Sequence, residues 1–539
     1  MDFFFITYIV LLLIICFLVM VAQRLKISYP IVLVLGGLLL SLVPSVGVIE
    51  IKPELIFLII LPPILYEAAW QTSWKDFWKW RRIIFSYAFF IVILTASVVA
   101  FVTSSLIPGF TLALGFLLGG IVSPPDAVSA TSIMRDLDVP KRISAVIEGE
   151  SLLNDASSIV VFRYALAAVV TGTFSFQAAA TNFLLVIVMG ALIGLAVALV
   201  FYAIHRWMPT TPNVDFVLTF VSPYIMYIAA EHFQFSGVLA VVTGGLFLAQ
   251  QRQTILSPMS RIRGISVWSI IGFVLNGLVF MLIGLQLPTI VHQLGNISLW
   301  AAIKYSLIVA AVLIGSRLLI ALGTPIFTQF VSRFIKTADA SPGYRAPLVL
   351  GWAGMRGVVS LAAALSIPVY MANGEPFPQR NLILFITFSV ILVTLVLQGL
   401  TLPLVIRMAD LKDPDYKLPE NEQDLRLQRG LARCALQKIE RRYNDQLAQN
   451  ALMQAYYDRL RNSLHLLENS DVMIAESESD NNNSERAAFE VMRKDIIETQ
   501  RELLQRTNKR AAVSDDVIKK YLLALDLEEE QLNGQVKLY

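Results

Sequence analysis

The sequence predicts an all-α polytopic membrane protein. About thirteen spanning helices form two inverted six-helix repeats with crossed interrupted helices, and a helical cytoplasmic tail follows. Three observations carry this prediction. Of 539 residues, 56% are hydrophobic and only 15% charged, whereas a globular domain carries about a quarter charged. Apolar runs of membrane length fill the chain as far as Asp410, and a polar tail follows. Basic residues collect at alternate ends of those runs.

The runs cover residues 3–23, 28–44, 54–70, 83–107, 110–134, 143–171, 180–207, 214–232, 235–250, 267–291, 298–328, 346–374 and 381–408. Each approaches the roughly 20 helical residues that cross a hydrocarbon core. The first begins almost at the N-terminus with no basic stretch before it, so it reads as a transmembrane helix rather than a signal peptide. One set of connections carries sixteen basic residues, among them Lys75, Lys79, Arg81, Arg82, Arg135, Lys141 and Arg142; the other set carries only Lys52 and Arg380. The positive-inside rule then places the N-terminus outside and the tail in the cytoplasm. Trp70, Trp74, Trp78 and Trp80 flank the basic stretch after the third run and read as an interfacial anchor.

Two runs are interrupted at matching places. The fifth contains Gly119-Gly120-Ile121-Val122-Ser123-Pro124-Pro125-Asp126, and the twelfth Gly351-Trp352-Ala353-Gly354-Met355-Arg356-Gly357. An offset of seven helices inverts one repeat against the other, as in many transporters. Broken backbone at that depth must be buried or line a cavity. The chain divides at this level into a membrane domain, 1–409, and a cytoplasmic domain, 410–539. In the latter, a helix is expected from about Glu422 to Leu467, an acidic loop over Glu476–Asn483, a helix to about Arg510 and a last helix capped by Ser514. A regulatory or dimer-supporting role suits it.

Composition also excludes. A net charge of +3 gives no case for nucleic acid, and Cys16 and Cys434 do not suggest a disulfide framework. Four histidines without a cysteine cluster argue against structural zinc. No nucleotide loop or catalytic triad is evident, so the chain reads as a non-enzyme without cofactor.

The chemistry concentrates in Gly149-Glu150-Ser151-Leu152-Leu153-Asn154-Asp155-Ala156-Ser157-Ser158, inside the sixth run. A charge at the bilayer centre costs about 2.5–3.5 kcal/mol even on lenient scales, so two carboxylates there point to a functional site. Positions four apart share a helical face, which stacks Glu150 on Asn154 and Ser151 on Asp155. Glu150 and Asp155, five apart, diverge by about 140°. One carboxylate is therefore expected to face a cavity and the other a fixed partner. Arg356, the cation of the broken twelfth run, is the expected partner of Glu150, because a guanidinium holds a carboxylate through two parallel bonds. Asp155 is expected to bind a monovalent cation or a proton, with Ser151 and carbonyls freed at Pro124-Pro125 as further oxygen ligands. Asp126 reads either as the cap of a half-helix or as a direct ligand. Glu148 and Glu231 read as interfacial, Glu67 as a support or a packed polar contact, and Arg163, Lys304 and Arg317 as snorkelling or paired.

Four motifs together resemble the sodium/proton exchanger family of monovalent cation:proton antiporters, bacterial type. They are Pro62-Pro63-Ile64-Leu65-Tyr66-Glu67, Ser123-Pro124-Pro125-Asp126-Ala127-Val128, Glu150-Ser151-Leu152-Leu153-Asn154-Asp155 and Ala353-Gly354-Met355-Arg356-Gly357. The resemblance spans most of the membrane region and leaves out the tail. It implies a thirteen-helix fold, normally a homodimer, with a scaffold and a moving core that holds the crossed helices. It implies Asp155 as the ion- and proton-binding carboxylate, Asn154 as its partner in the Asn-Asp pair of the electroneutral branch, and a Glu150–Arg356 pair. Many relatives have threonine where this chain has Pro125, so a hydroxyl is lost from the rim of the site. The expected activity is exchange of sodium, or lithium, for protons across the plasma membrane, with the cation, the proton and membrane lipid as partners. Potassium/proton exchange uses the same residues. A cation channel would need a continuous pore, and a membrane sensor would put its output in the tail.

Overall fold

Inside a membrane every backbone group must find its partner within the chain, and a helix does this segment by segment. The computed structural model describes residues 2–43, 56–135, 137, 139–172, 176–295, 297–333, 343–371, 374–411, 420–447 and 450–476, with five single positions beyond. Among these, helix is the only regular structure apart from an isolated bridge between Tyr370 and Pro376. The acidic loop from residue 477, the helix end at Arg510 and the cap at Ser514 lie outside the described residues, as do Lys52 and Lys336.

The first helices are α1 (Asp2–Leu25), α2 (Tyr29–Ser41), α3 (Ile56–Gln71) and α4 (Trp74–Leu106). The first interrupted pair is α5 (Leu112–Val122) and α6 (Ala127–Met134), followed by α7 (Lys141–Thr171). Then come α8 (Phe176–Trp207), α9 (Pro212–His232), α10 (Gly237–Ile255), α11 (Pro258–Leu285), the short α12 (Leu287–Gln293) and α13 (Leu299–Ser332). The second interrupted pair is α14 (Arg345–Trp352) and α15 (Val358–Leu365), and α16 (Arg380–Ala409) ends the series. Length and composition alone carry eight crossings: α4, α5–α6, α7, α8, α9, α11–α12, α13 and α16. Three shorter apolar helices, α10 and the α14–α15 pair lie over the other five apolar runs.

One boundary differs from expectation. The basic stretch before residue 83 is not a loop but the first turns of α4. Ser73 Oγ accepts the Asp76 N–H at 3.3 Å, which caps the helix there, and Phe77, Trp80 and Ile84 bury its inner face.

Packing follows from close approach. Helix α2 lies on α11, with Gly37 against the Met281 carbonyl and Gly284 against that of Val34. A Cβ at either glycine would strike backbone, so the pair meets through small residues, as membrane helices do where lipid supplies no hydrophobic drive. Helix α8 packs on α10, α10 on α3, α5 on both α4 and α7, and α13 on α14 and α16. Three π-helical turns interrupt the ladders, and a residue of each accepts a hydrogen bond from another segment. Tyr224 Oη donates to Ile59 O at 3.1 Å, Ser157 Oγ to Ala88 O at 2.6 Å, and the Arg356 N–H to Thr394 Oγ1 at 3.2 Å. Buried Asp215 joins three helices: Oδ1 lies 3.0 Å from His205 Nδ1 and Oδ2 accepts Ser260 Oγ at 2.7 Å.

The chain separates into two compact units, Met1–Asp413 and Pro414–Tyr539. In the second, the single helix expected over 422–467 is instead a hairpin of α17 (Glu420–Arg442) and α19 (Ala451–Glu476), with a turn of helix, α18 (Asn444–Leu447), between. Asn450 Oδ1 caps α19 by accepting the Met453 N–H, and Leu436 and Leu447 are buried. Arg433 pairs with Glu468 at 2.7 Å, and Arg429 Nε donates to Leu467 O at 2.9 Å.

Candidate functional site

Two prolines start the site. Pro124 and Pro125 lack N–H groups, so α5 ends at Val122 and α6 begins only at Ala127. The second break, 353–357, contains Gly354 and Gly357. The two breaks cross in contact: the Asp126 N–H donates to Met355 O at 2.7 Å. Gly357 makes the approach possible, since a Cβ there would lie 2.7 Å from Asp126 Cβ. Of the two readings left open for Asp126, the cap is realised. Its carboxylate accepts Val128 N–H and Ser129 N–H, each at 3.2 Å, and Ser129 Oγ at 2.8 Å, at the positive end of half-helix α6.

Helix α7 runs along the first break and supplies what the missing ladder lacks. Asn154 Nδ2 donates to Pro125 O at 2.7 Å, Ser158 Oγ to Gly120 O at 2.7 Å, and Ser151 Oγ accepts the Ala127 N–H at 3.2 Å. These positions recur at helical spacing, so one face of α7 holds the broken segment in place. Asn154 is fully buried behind this seam and does not line the cavity described below.

The expected Glu150–Arg356 pair is not formed. Both Glu150 oxygens are taken by Arg317 of α13, at 2.8 Å to Nη1 and 2.9 Å to Nη2, and both side chains are buried. The physical reason lies in the second break. Arg317 passes over Gly354, where any Cβ would collide with the guanidinium, and so reaches α7 from α13. Arg356 is also buried, its N–H held by Thr394, and its Nε and Nη1 have no hydrogen-bond partner among the described residues.

Asp155 points elsewhere. It lines a cavity of about 360 Å³ together with Pro124, Pro125, Asp126 and Ser151 on one side and Tyr29, Glu67 and Asn276 on the other. Among the described residues its carboxylate accepts no hydrogen bond and forms no ion pair. Glu67 and Glu148 share this cavity with a single cation, Arg135. Four carboxylates against one guanidinium make it attractive to cations. Glu67 is seated by Gln71, whose Nε2 donates to Oε1, and by Gly272 of α11, where a Cβ would come within 2.8 Å of its carboxyl carbon. Arg163 and Glu231, by contrast, pair with each other at 2.7 Å away from this site. Among the described residues no cluster of three His, Cys, Asp or Glu side chains suits a resident metal.

The family described as "Sodium/hydrogen exchanger, transmembrane" matches residues 9–408, almost the whole first unit. The chain belongs to the sodium/hydrogen exchanger family. Among its relatives is the "Sodium, potassium, lithium and rubidium/H(+) antiporter" of Bacillus subtilis (strain 168), 33% identical over 448 residues. That match covers 81% of this chain and 66% of the Bacillus protein, so the chain spans just under two thirds of that relative's length. The "Na(+)/H(+) antiporter ApNhaP" of Aphanothece halophytica is 34% identical over 385 residues, 71% of this chain and 69% of that one. In fold, the chain is similar to the sodium proton antiporter MjNhaP1 from Methanocaldococcus jannaschii. The TM-score is 0.57 at 18% identity, over 74% of this chain and 96% of that one.

Sequence reasoning left Arg317, Glu67 and Glu148 outside the site; of the two readings of Arg317, snorkelling or paired, the pair is realised, with Glu150. Arg317 carried a usable signal. It lies about 27 Å from one end of α13 and 22 Å from the other at 1.5 Å per residue, too deep to snorkel.

Proposed function

We propose that this exchanger carries sodium, or lithium, in exchange for protons across the plasma membrane, one for one and by alternating access. Asp155 is the exchanging carboxylate. The observation that carries this reading is the division of labour on α7: Glu150 is closed by Arg317, whereas Asp155 lines the acidic cavity with no partner of its own. Ionised Asp155 is too costly to enclose alone, so the core crosses only with a cation or a proton on it.

The one-for-one reading rests on Glu150 being closed by Arg317, which leaves Asp155 as the exchanging carboxylate of α7. Ser151 and the carbonyls around Pro124-Pro125 are the further oxygen ligands in this reading, and Glu67 faces them across the cavity. Asn154 and Asp126 act by holding the broken segment. Potassium/proton exchange needs the same residues.

The thirteen apolar runs support thirteen crossings, and the sixteen-to-two distribution of basic residues between their connections supports an N-terminus outside and a tail in the cytoplasm. A homodimer is the assembly that the family resemblance implies, and the second unit is proposed to regulate transport or support the dimer. Everted vesicles from cells without their own antiporters test the activity. Sodium and lithium are expected to dissipate a preformed proton gradient and potassium to do so weakly. Dissipation by potassium alone would replace sodium with potassium, and no response to any of the three would refute antiport.

A further inference from the structure

Helix α7 is bonded over its middle turns to the segments around the two breaks. Glu150 holds Arg317 of α13, Ser151 and Asn154 hold the first break, Ser157 holds α4 and Ser158 holds α5. Arg163, eight residues past Asp155, leaves this group. Its Nη2 donates to Glu231 Oε2 of α9 at 2.7 Å. Glu231 is also fixed from its own side, because Oε1 accepts the Gly237 N–H at 3.2 Å where α10 starts. Gly237 permits this, since a Cβ there would lie 3.0 Å from Glu231 Cγ. Helices α8, α9 and α10 pack on one another, and α10 packs on α3. The ion pair therefore ties the helix that carries Asp155 to a separately packed group.

Its place along α7 is informative. The cavity touches α7 at Glu148, Ser151, Leu152 and Asp155, and at no described residue of that helix beyond Asp155. On α6 its wall continues from Asp126 to exposed Arg135. Arg163 lies the other way, about 12 Å past Asp155 at 1.5 Å per residue. Ile159, one turn from each, packs against the hydrophobic core there. We propose that Arg163 and Glu231 are a positioning pair for the exchange cycle. They hold the far side shut while the cavity is open toward Arg135, and they part each time Asp155 is presented to that side. This rests on the proposed alternating access. The two side chains are 43% and 30% exposed, and an ion pair in such a setting shifts an equilibrium by up to about five-fold. That is enough to bias two states and little enough to break in every cycle.

The test uses the full chain in proteoliposomes, with Cys16→Ser and Cys434→Ser to remove the native thiols. Arg163→Cys and Glu231→Cys together are linked by a short bis-methanethiosulfonate. Linking is expected to slow exchange about ten-fold or more, because a tied protein cannot alternate. Reductant should restore the rate, and each single cysteine treated alike should keep it. Full-rate exchange by the linked protein would overturn the pair's role, whereas no sodium-driven exchange by wild type would overturn antiport itself. A second measurement tests the charge. Ile159→Cys is labelled by membrane-impermeant methanethiosulfonates added to the face away from Arg135. Arg163→Gln and Glu231→Gln are each expected to speed labelling a few-fold, with cationic and anionic reagents alike, which separates opening from a local field. Arg163→Lys should retain the slow rate. Labelling unchanged in both neutralised variants would overturn the proposal even if linking stops exchange.

Discussion

Asp155→Asn is expected to abolish sodium-driven proton movement while leaving the protein folded. The amide has the shape of the carboxylate but neither takes up a proton nor supplies the charge that a bare cation requires. Because Asp155 has no hydrogen bond or ion pair to another described residue, the change breaks nothing in the fold. It also removes a desolvated charge, so thermal stability is expected to hold or rise. Reconstituted vesicles with a pH-sensitive dye and a melting curve on the same preparation read both quantities. Asp155→Glu keeps the charge and shifts it by one methylene, and partial exchange with altered cation affinity is expected. Competition fixes the sign of the pH dependence. As pH rises, fewer protons occupy Asp155, so the apparent KM for sodium falls. The fall is about ten-fold per pH unit while the site remains mostly protonated, and it then levels off. Normal exchange by Asp155→Asn, or a sodium KM that does not move with pH, would refute the assignment.

Arg317→Gln is expected to be among the most destabilising single changes in the membrane unit. Removing one partner of a buried pair leaves the other charge uncompensated, at a cost of about 3–5 kcal/mol. Here Glu150 is buried, and both its oxygens depend on Arg317. Adding Glu150→Gln should recover part of the loss, because two neutral amides side by side are far cheaper to bury than an orphaned carboxylate. A double-mutant cycle on thermal stability distinguishes the two arginines. Strong coupling, of about 1.5 kcal/mol or more, is expected between Glu150 and Arg317, and weaker coupling between Glu150 and Arg356. The reverse order would restore the partner that the sequence suggests.

That contrast shows where sequence reading reaches its limit. The membrane forces apolar runs and tolerates broken backbone only where it is enclosed, so the helices and the two breaks at Pro124-Pro125 and Gly354–Gly357 are legible from residue types alone. The angular separation of Glu150 from Asp155 is likewise a property of one helix, and the structure directs them to different surroundings. Which arginine meets Glu150 is not such a property. It depends on how α13 sits against α7, across 167 residues of chain, and on the space left by Gly354. The same holds for Glu67, which enters the cavity only because α3 packs against the bare backbone at Gly272 of α11. The early start of α4 had a local signal in Ser73 and the apolar spacing of Phe77, Trp80 and Ile84, masked by the density of lysine and arginine between them.

Competition between a cation and a proton for one carboxylate has a direct equilibrium signature, independent of turnover. Purified protein in weakly buffered solution, at a pH where Asp155 is mostly protonated, is mixed with sodium while the released protons are counted. Close to one proton per bound sodium is expected from wild type and none from Asp155→Asn. Two protons per ion, or release that survives in Asp155→Asn, would contradict exchange through Asp155 alone.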